Sequence, residues 1–347
     1  MKNRSIDSYI VSKGRNNNLD IFRFTLATLV VYSHSYWITG TEDGTESLRV
    51  MMFFIISGFF ISASYNRLNN LKSYFKARAL RIFPALILVV LLTVFLLGPL
   101  VTTLQAGDYL TNYQTYHYLK TLLLFDIQYD LPGLFENNPE TLVVNGSIWT
   151  IYPEALYYIV VGILGFSKIL NKQIVLFLFI LTHILYFIQF PIGHLYIGFF
   201  RYFLAGMLFY QFKDKIPLHY SLFLLSGIGM YVGYLTEHFA DFFVFFGTYM
   251  VFYFIYVPKI KLAFSRQLGN YSYGVFLFGY PIQQTIALLY GDGMTPLLNF
   301  VIAMPIAILC AFVSWNLVEK RALAMKDKPI KSIVPTFSFR KQWKKVG

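Results

Sequence analysis

The sequence predicts an all-α integral membrane protein: a bundle of about ten transmembrane helices with both termini in the cytoplasm. Three observations predict it. Charged residues make up 13% of the chain and hydrophobic ones 56%, whereas soluble domains carry about 25% charged residues; most of the surface therefore faces lipid. The apolar residues fall in runs close to the roughly 20 residues that a helix needs to cross a bilayer. Lys and Arg gather in alternate loops, the asymmetry that sets orientation.

The elements follow in order. The first run, 19–38, contains Asp20 and Arg23. It is too long for a cleavable signal and no small-residue cleavage site follows it. An acidic turn with Glu42, Asp43 and Glu46 leads to the second, 48–65, interrupted by Ser57-Gly58. A basic stretch from Arg67 to Arg81 leads into the third, 80–102. Loop 103–147 is long and acidic, carrying Asp126, Asp130, Glu136, Glu140 and several Tyr; loops of that length are functional or disordered. The fourth run is 148–166. Lys168 and Lys172 precede 174–190, which a short Pro191-Ile192-Gly193 turn joins to 194–212. Lys213 and Lys215 precede 218–235, and Glu237 precedes 239–257. Lys259, Lys261 and Arg266 precede 271–290, and Asp292 precedes 295–318. Residues 1–325 read as one transmembrane domain, and 326–347 as a basic cytoplasmic tail on the inner membrane surface.

On this topology 25 of the 29 basic residues lie on one side, the exceptions being Arg23, Arg49, Lys120 and Arg201. The net charge of +12 is then a cytoplasmic-face charge suited to anionic membrane lipid, and no nucleic-acid partner is expected. Cys310 stands alone, which excludes an intramolecular disulfide and a thiolate metal site; no metal is expected.

Ionisable residues inside a span cost about 2.5–3.5 kcal/mol each on insertion scales and are functional candidates by default. Arg23 and His34 share the first helix. Eleven residues are three turns plus about 20°, which places them on one face roughly 16 Å apart. His34 reads equally as a catalytic imidazole or as a buried His bonded to a neighbour. Arg78 and Arg81, at i and i+3, share a face. They suit a phosphate or pyrophosphate, which guanidiniums bind bidentately, although positive-inside anchoring explains them too. Glu154 lies at the depth of His34; a carboxylate beside an imidazole orients a general base or nucleophile. Arg201 binds an acceptor or neutralises Glu154. His183 has no such partner and reads as structural. Trp149 is an interfacial anchor or a sugar platform. The sequons Asn145-Gly146-Ser147 and Asn270-Tyr271-Ser272 read as chance matches.

Several segments then resemble one family. "LDIFRFTLATLVVYSHS", "FFIISGFFIS", "FKARALRIFPAL", "NGSIWTIYPEALYY", "LGNYSYGVFLFGYPIQQ" and "NLVEKRA" are similar, in order, to motifs of the acyltransferase-3 family of integral membrane O-acyltransferases acting on surface carbohydrates. The resemblance implies ten or so helices and acetyl-CoA as donor at the inner face. It also implies transfer to a hydroxyl of an O-antigen, capsule or exopolysaccharide unit, free or lipid-linked, at a bacterial inner membrane. It assigns catalysis to the position of His34 and donor-phosphate binding to those of Arg23, Arg78 and Arg81; on the residues' own reading, Glu154 joins His34 as the catalytic candidate that orients its ring or stabilises its cation, Tyr273 binds donor or closes the inner gate, and Arg201 and Trp149 are the acceptor candidates. His34, with a reference pKa of about 6.5, acts as general base or takes the acyl group itself. Two departures stand out. Gly279 occupies a position where many members carry His, and Arg321 follows Lys320 where the closing motif usually continues to Pro.

Other classes fit less well. A polytopic transporter or flippase shares intramembrane charges, but no repeated halves or paired interrupted helices are visible. A glycan polymerase would grip a lipid-linked phosphate, yet loop 103–147 has Lys120 alone as a basic residue. A pH sensor built on His34 is the weakest of these readings.

Overall fold

A computed structural model describes residues 5–13, 17–43, 46–191, 193–258, 260, 262 and 264–326. The expected tail beyond residue 326, and with it most of the C-terminal positive charge, lies outside the described residues. The fold is helical. A short α1 (Ile6–Lys13) precedes α2 (Asn17–Ile38) and α3 (Glu46–Leu68). Then come α4 (Leu71–Val101), the small α5 (Ala106–Thr111) and α6 (Tyr113–His117), and α7 (Gly146–Phe166). The chain continues with α8 (Lys172–Phe187), α9 (His194–Gln211), α10 (Tyr220–Leu235), α11 (Phe239–Tyr256), α12 (Ser265–Tyr290) and α13 (Pro296–Ala324).

A helix coincides with each of the ten predicted runs. Among the described residues five are long and apolar enough to cross a membrane, namely Ser47–Leu68, α4, α7, α11 and α13; α8 and α10 are apolar but shorter. Helices α8, α10 and α13 carry exposed apolar stripes at helical spacing, for example Leu176, Ile180 and Ile184 on α8 and Leu224, Ile228 and Tyr231 on α10. Water penalises such a surface and lipid does not.

Two helices begin earlier than hydropathy predicts. Helix α4 starts at Leu71 and not near 80, capped by the Asn70 side chain, which accepts from the Ser73 N–H. Helix α12 starts at Ser265. A hydropathy reading registers only the apolar part of a helix, whereas backbone hydrogen bonding carries α4 on through Lys72, Lys76 and Arg78. The R-x-x-R pair therefore projects from the second and third turns of α4.

The core forms where α2 packs on α12, α3 on α9, and α12 on α13. The α3–α9 contact is backbone to backbone. A methyl group at Gly58 would sit 1.9 Å from the Phe203 carbonyl oxygen, and one at Gly206 would sit 2.0 Å from that of Ile55. Ser57-Gly58 thus interrupts no helix: small residues let two helices meet. At Gly279 a methyl would lie 2.7 Å from Val31 Cγ2, so Val31 fills the space that a His would need.

Segment 103–145 is folded onto the bundle, burying Tyr109, Tyr118, Leu134 and Phe135. Amides pin it. Asn138 donates to the Gln284 carbonyl (2.9 Å) and Oε1 (2.7 Å), and Gln284 Nε2 donates to the carbonyls of Glu140 and Val143, both at 2.8 Å. Asn145 donates to the Leu277 carbonyl at 2.9 Å.

Candidate active site

One cavity of about 190 Å³ lies between α2, α3, α4, α7 and α12. A single buried water needs roughly 10–15 Å³ on this scale, so the space holds far more than a stray solvent molecule. His34, Glu154, Arg23, Arg78, Arg81, Tyr273 and Trp149 all line it. Helix α3 runs its length. Arg49 and Ser57, both lining, are separated by about 12 Å of helix axis, and Ser64, which bonds a lining arginine, lies about 10 Å further on.

At one end His34, one turn from the end of α2, is held edge-on by Tyr280, ring centroids 5.0 Å apart at 73°. Its Nδ1 lies 3.5 Å from Ser147 Oγ. Ser147 is itself placed by Asn145, whose side chain caps α7 by accepting from the Ser147 N–H at 3.1 Å. The same asparagine donates to α12, so it ties the start of α7 to that helix, and Ser147 carries the link on to His34 of α2. Beside His34 sits a polar cluster. Arg49 Nη2 donates to Asp43 Oδ2 at 2.7 Å and to Ser33 Oγ, and Ser33 also donates to Asp43. Both charged side chains are buried.

At the other end are three guanidiniums. Arg23 lies over the Phe60 ring at 5.4 Å and Arg81 over the Tyr273 ring at 5.4 Å. Arg78 lies over Tyr158 at 5.8 Å with Nη2 3.4 Å from Ser64 Oγ, and its buried Nε makes no hydrogen bond. Arg81 also approaches Glu319 of α13, Nη1 to Oε2 3.9 Å. Glu319 ends a π-helical turn (Trp315–Glu319) and is fixed through Oε1 by Ser314 at 2.9 Å. The Tyr273 hydroxyl donates to the Ile82 carbonyl at 3.1 Å, which locks that ring under Arg81.

Glu154 sits between the two ends. Its Oε1 accepts from Ser57 at 3.3 Å and from the Tyr158 hydroxyl. The expectation that Glu154 holds the His34 ring directly meets a different arrangement: Ser147 and Tyr280 take that place, because Glu154 is turned toward α3 and its own helix. Arg201 is the sequence candidate that the cavity does not include. It is buried, lies 3.5 Å over the Tyr186 ring and donates to Asp241 at 2.7 Å. Asp241, and not Glu154, is its counterion. His183 Nδ1 donates to the Phe179 carbonyl (2.7 Å) in the same region.

Sequence reasoning missed Ser33, Asp43, Arg49, Ser147, Tyr158 and Glu319. For Arg49 a signal existed, since it is one of four basic residues that break the loop pattern. Ser147 and Glu319 were within recognised segments, but their partners are 113 and 238 residues distant and left no mark in the local pattern. Four guanidiniums against one carboxylate line the cavity; such a space suits a polyanion at its arginine end. Among the described residues no group of three His, Cys, Asp or Glu side chains is arranged to hold a metal.

Comparison with known proteins gives three findings. The family model described as "Acyltransferase domain" matches residues 16–316. The chain is 26% identical over 332 residues to a protein of Shigella phage Sf6 named "O-acetyl transferase", covering 89% of this chain and 96% of that one. It is 31% identical over 170 residues to "Nodulation protein 10" of Rhizobium leguminosarum bv. viciae, covering 44% of this chain and 45% of that one. No solved structure matches.

Proposed function

The chain belongs to the acyltransferase-3 family, and from that premise we propose that it is a membrane-embedded O-acetyltransferase moving an acetyl group from cytoplasmic acetyl-CoA to a hydroxyl of a surface or exported carbohydrate. The full-length likeness to an O-acetyl transferase supports the group and the acceptor atom. One observation carries the donor: the cavity that His34 lines is also lined by Arg23, Arg78 and Arg81. Phosphates of a nucleotide thioester bind the guanidiniums, and its extended arm reaches along α3 toward the imidazole.

The proposed topology has ten spans with both termini cytoplasmic in a bacterial inner membrane. The arginine end then opens inward and the His34 end outward. With Nδ1–H donated to Ser147, His34 keeps its Nε2 lone pair for the acceptor hydroxyl, acting as general base. Glu154 supplies negative charge that stabilises the imidazolium across the cavity, and Tyr273 braces Arg81 against the donor. Trp149, packed on Phe199 with centroids 5.6 Å apart, offers a ring to the sugar. Arg201, paired with Asp241 outside the cavity, takes no part. The acceptor is a carbohydrate, free or lipid-linked.

Mass spectrometry of the host's surface glycans with and without this gene tests the reading. A difference of one acetyl group per repeat unit is expected. Identical glycans, with no acetyl-CoA consumed by the purified protein, leave a transporter or flippase as the better account.

A further inference from the structure

We propose that Val30, Phe53 and Phe276 form an apolar waist that sets acyl-group specificity by width, admitting an unbranched acyl group and holding back a branched one; the proposal rests on the O-acetyltransferase reading above. A donor held by its phosphates at the guanidinium end enters acyl group first. Whatever stands between that end and His34 therefore meets the acyl group before the imidazole does. Three helices each place one apolar side chain at that depth, and all three side chains line the cavity. On α2, Val30 precedes His34 by one turn, about 6 Å along the axis and on the same face, toward Arg23. On α3, Phe53 lies between Arg49 at the His34 end and Ser57 beside Glu154. On α12, Phe276 lies between Tyr273, the ring under Arg81, and Tyr280, the ring against His34.

The waist is narrow and braced. The Phe53 and Phe276 rings are in contact, centroids 6.5 Å apart at 58°. Tyr273 stacks on Phe276 at 6.4 Å and 15°, and its hydroxyl is held by the Ile82 carbonyl of α4 at 3.1 Å. Helices α2 and α12 touch at the same level. A methyl at Gly279, one turn from Phe276, would lie 2.7 Å from Cγ2 of Val31, the neighbour of Val30. Helix α3 is pinned on α9 by Gly58 and Gly206. The three side chains do not spread without breaking these helix contacts, and a closely packed interior gives little room to added bulk.

The donor's shape matches such a waist. The arm of acetyl-CoA is unbranched next to the sulfur, and its branched carbon lies further from the thioester. With the thioester at His34, the unbranched part fills the waist and the branched carbon stays on the guanidinium side. Beyond the waist the acceptor oxygen bonds to the carbonyl carbon and the C–S bond breaks. The hydroxyl proton passes through His34 to the CoA sulfur, leaving an ester and a thiol. The waist residues touch the acyl group on its way in and move no proton.

The test uses purified full-length protein in nanodiscs, radiolabelled acetyl-CoA and isobutyryl-CoA, and surface glycan from host cells lacking this gene as acceptor. The readout is kcat/KM for isobutyryl-CoA divided by that for acetyl-CoA. Each misfitting methylene lowers such a ratio about 10- to 200-fold, so two added methyl groups should place the wild type at least about 100-fold in favour of acetyl. Phe276→Ala and Phe53→Ala are each expected to raise the ratio at least about tenfold, and the gentler Phe276→Leu to raise it less. Val30→Phe narrows the waist from the third helix and should lower acetyl transfer at least about tenfold while CoA still binds. Titration with unacylated CoA identifies folded variants, because its phosphates bind at the guanidinium end. Should an alanine variant fail to bind CoA, the wild-type ratio, Phe276→Leu and Val30→Phe decide the matter. A wild type that uses both donors alike overturns the proposal and leaves the acyltransferase reading standing, as does an unchanged ratio in the CoA-binding Phe variants. A wild-type protein that labels no glycan from either donor refutes the acetyltransferase reading itself, and this proposal with it.

Discussion

Truncating Arg78 to Ala isolates the donor end of the proposed path. Its guanidinium is pre-positioned over Tyr158 and against Ser64, with a buried Nε that lacks a hydrogen-bond partner. A phosphate oxygen that satisfies it gains a charged hydrogen bond of about 1.5–3 kcal/mol. At 1.4 kcal/mol per decade, one such bond lost weakens CoA binding roughly 10- to 150-fold. Arg81 differs, because Glu319 at 3.9 Å already attracts it. Phosphate must compete with that carboxylate, and partly exposed pairs contribute about 0.2–1 kcal/mol. Arg81→Ala should therefore cost less than Arg78→Ala, roughly 2- to 100-fold. The assay is titration calorimetry of CoA itself, which carries the phosphates and no acyl group, against protein in nanodiscs. Arg78→Lys should fall between, since an ammonium lacks the bidentate fork. CoA affinity within twofold of wild type in both alanine variants refutes the reasoning and reduces the two arginines to topology signals.

Other outcomes follow from the same geometry. Glu319→Gln removes the carboxylate that competes for Arg81 and should tighten CoA binding up to about fivefold; weaker binding in the same titration shows that Glu319 positions Arg81 instead. His34→Ala should lower glycan acetylation by at least about 100-fold while membrane insertion and CoA affinity are kept, as read by cell fractionation and titration. Gly58→Ala forces a methyl to 1.9 Å from the Phe203 carbonyl, so separation of α3 from α9 should cost about 1–3 kcal/mol. Its melting temperature in detergent should drop, whereas Gly107→Ala, with nothing within 4 Å, should melt like wild type.

Much of the fold was legible because lipid imposes a simple rule on composition. The apolar runs gave helices at all ten places, and they failed at the starts of α4 and α12, where charged residues continue a helix that hydropathy does not register. The site was partly legible for a related reason. His34, Arg23, Arg78, Arg81 and Glu154 are anomalies in apolar segments, and an anomaly is visible one residue at a time. What an anomaly bonds to is not. Arg201 looked equivalent to the others, yet its charge is satisfied by Asp241, 40 residues on, in a region the cavity does not reach. Hydropathy predicts one depth for Glu154 and His34, yet Glu154 bonds Ser57 and Tyr158 midway along the cavity while His34 bonds Ser147 at its end, because the position of each side chain is set by helix packing and not by hydropathy. Asn145 looked like a chance sequon, and its side chain joins α7, α12 and, through Ser147, the imidazole.

The account requires that the acyl arm pass from the guanidiniums to His34 through the space beside the middle of α3. Ser57 lines that space halfway along, and Ser57→Trp obstructs it without touching either end. Parallel measurement of CoA binding and acetyl transfer in this variant is the most direct trial. CoA bound with near wild-type affinity and transfer lost is the predicted result; transfer at the wild-type rate contradicts the account.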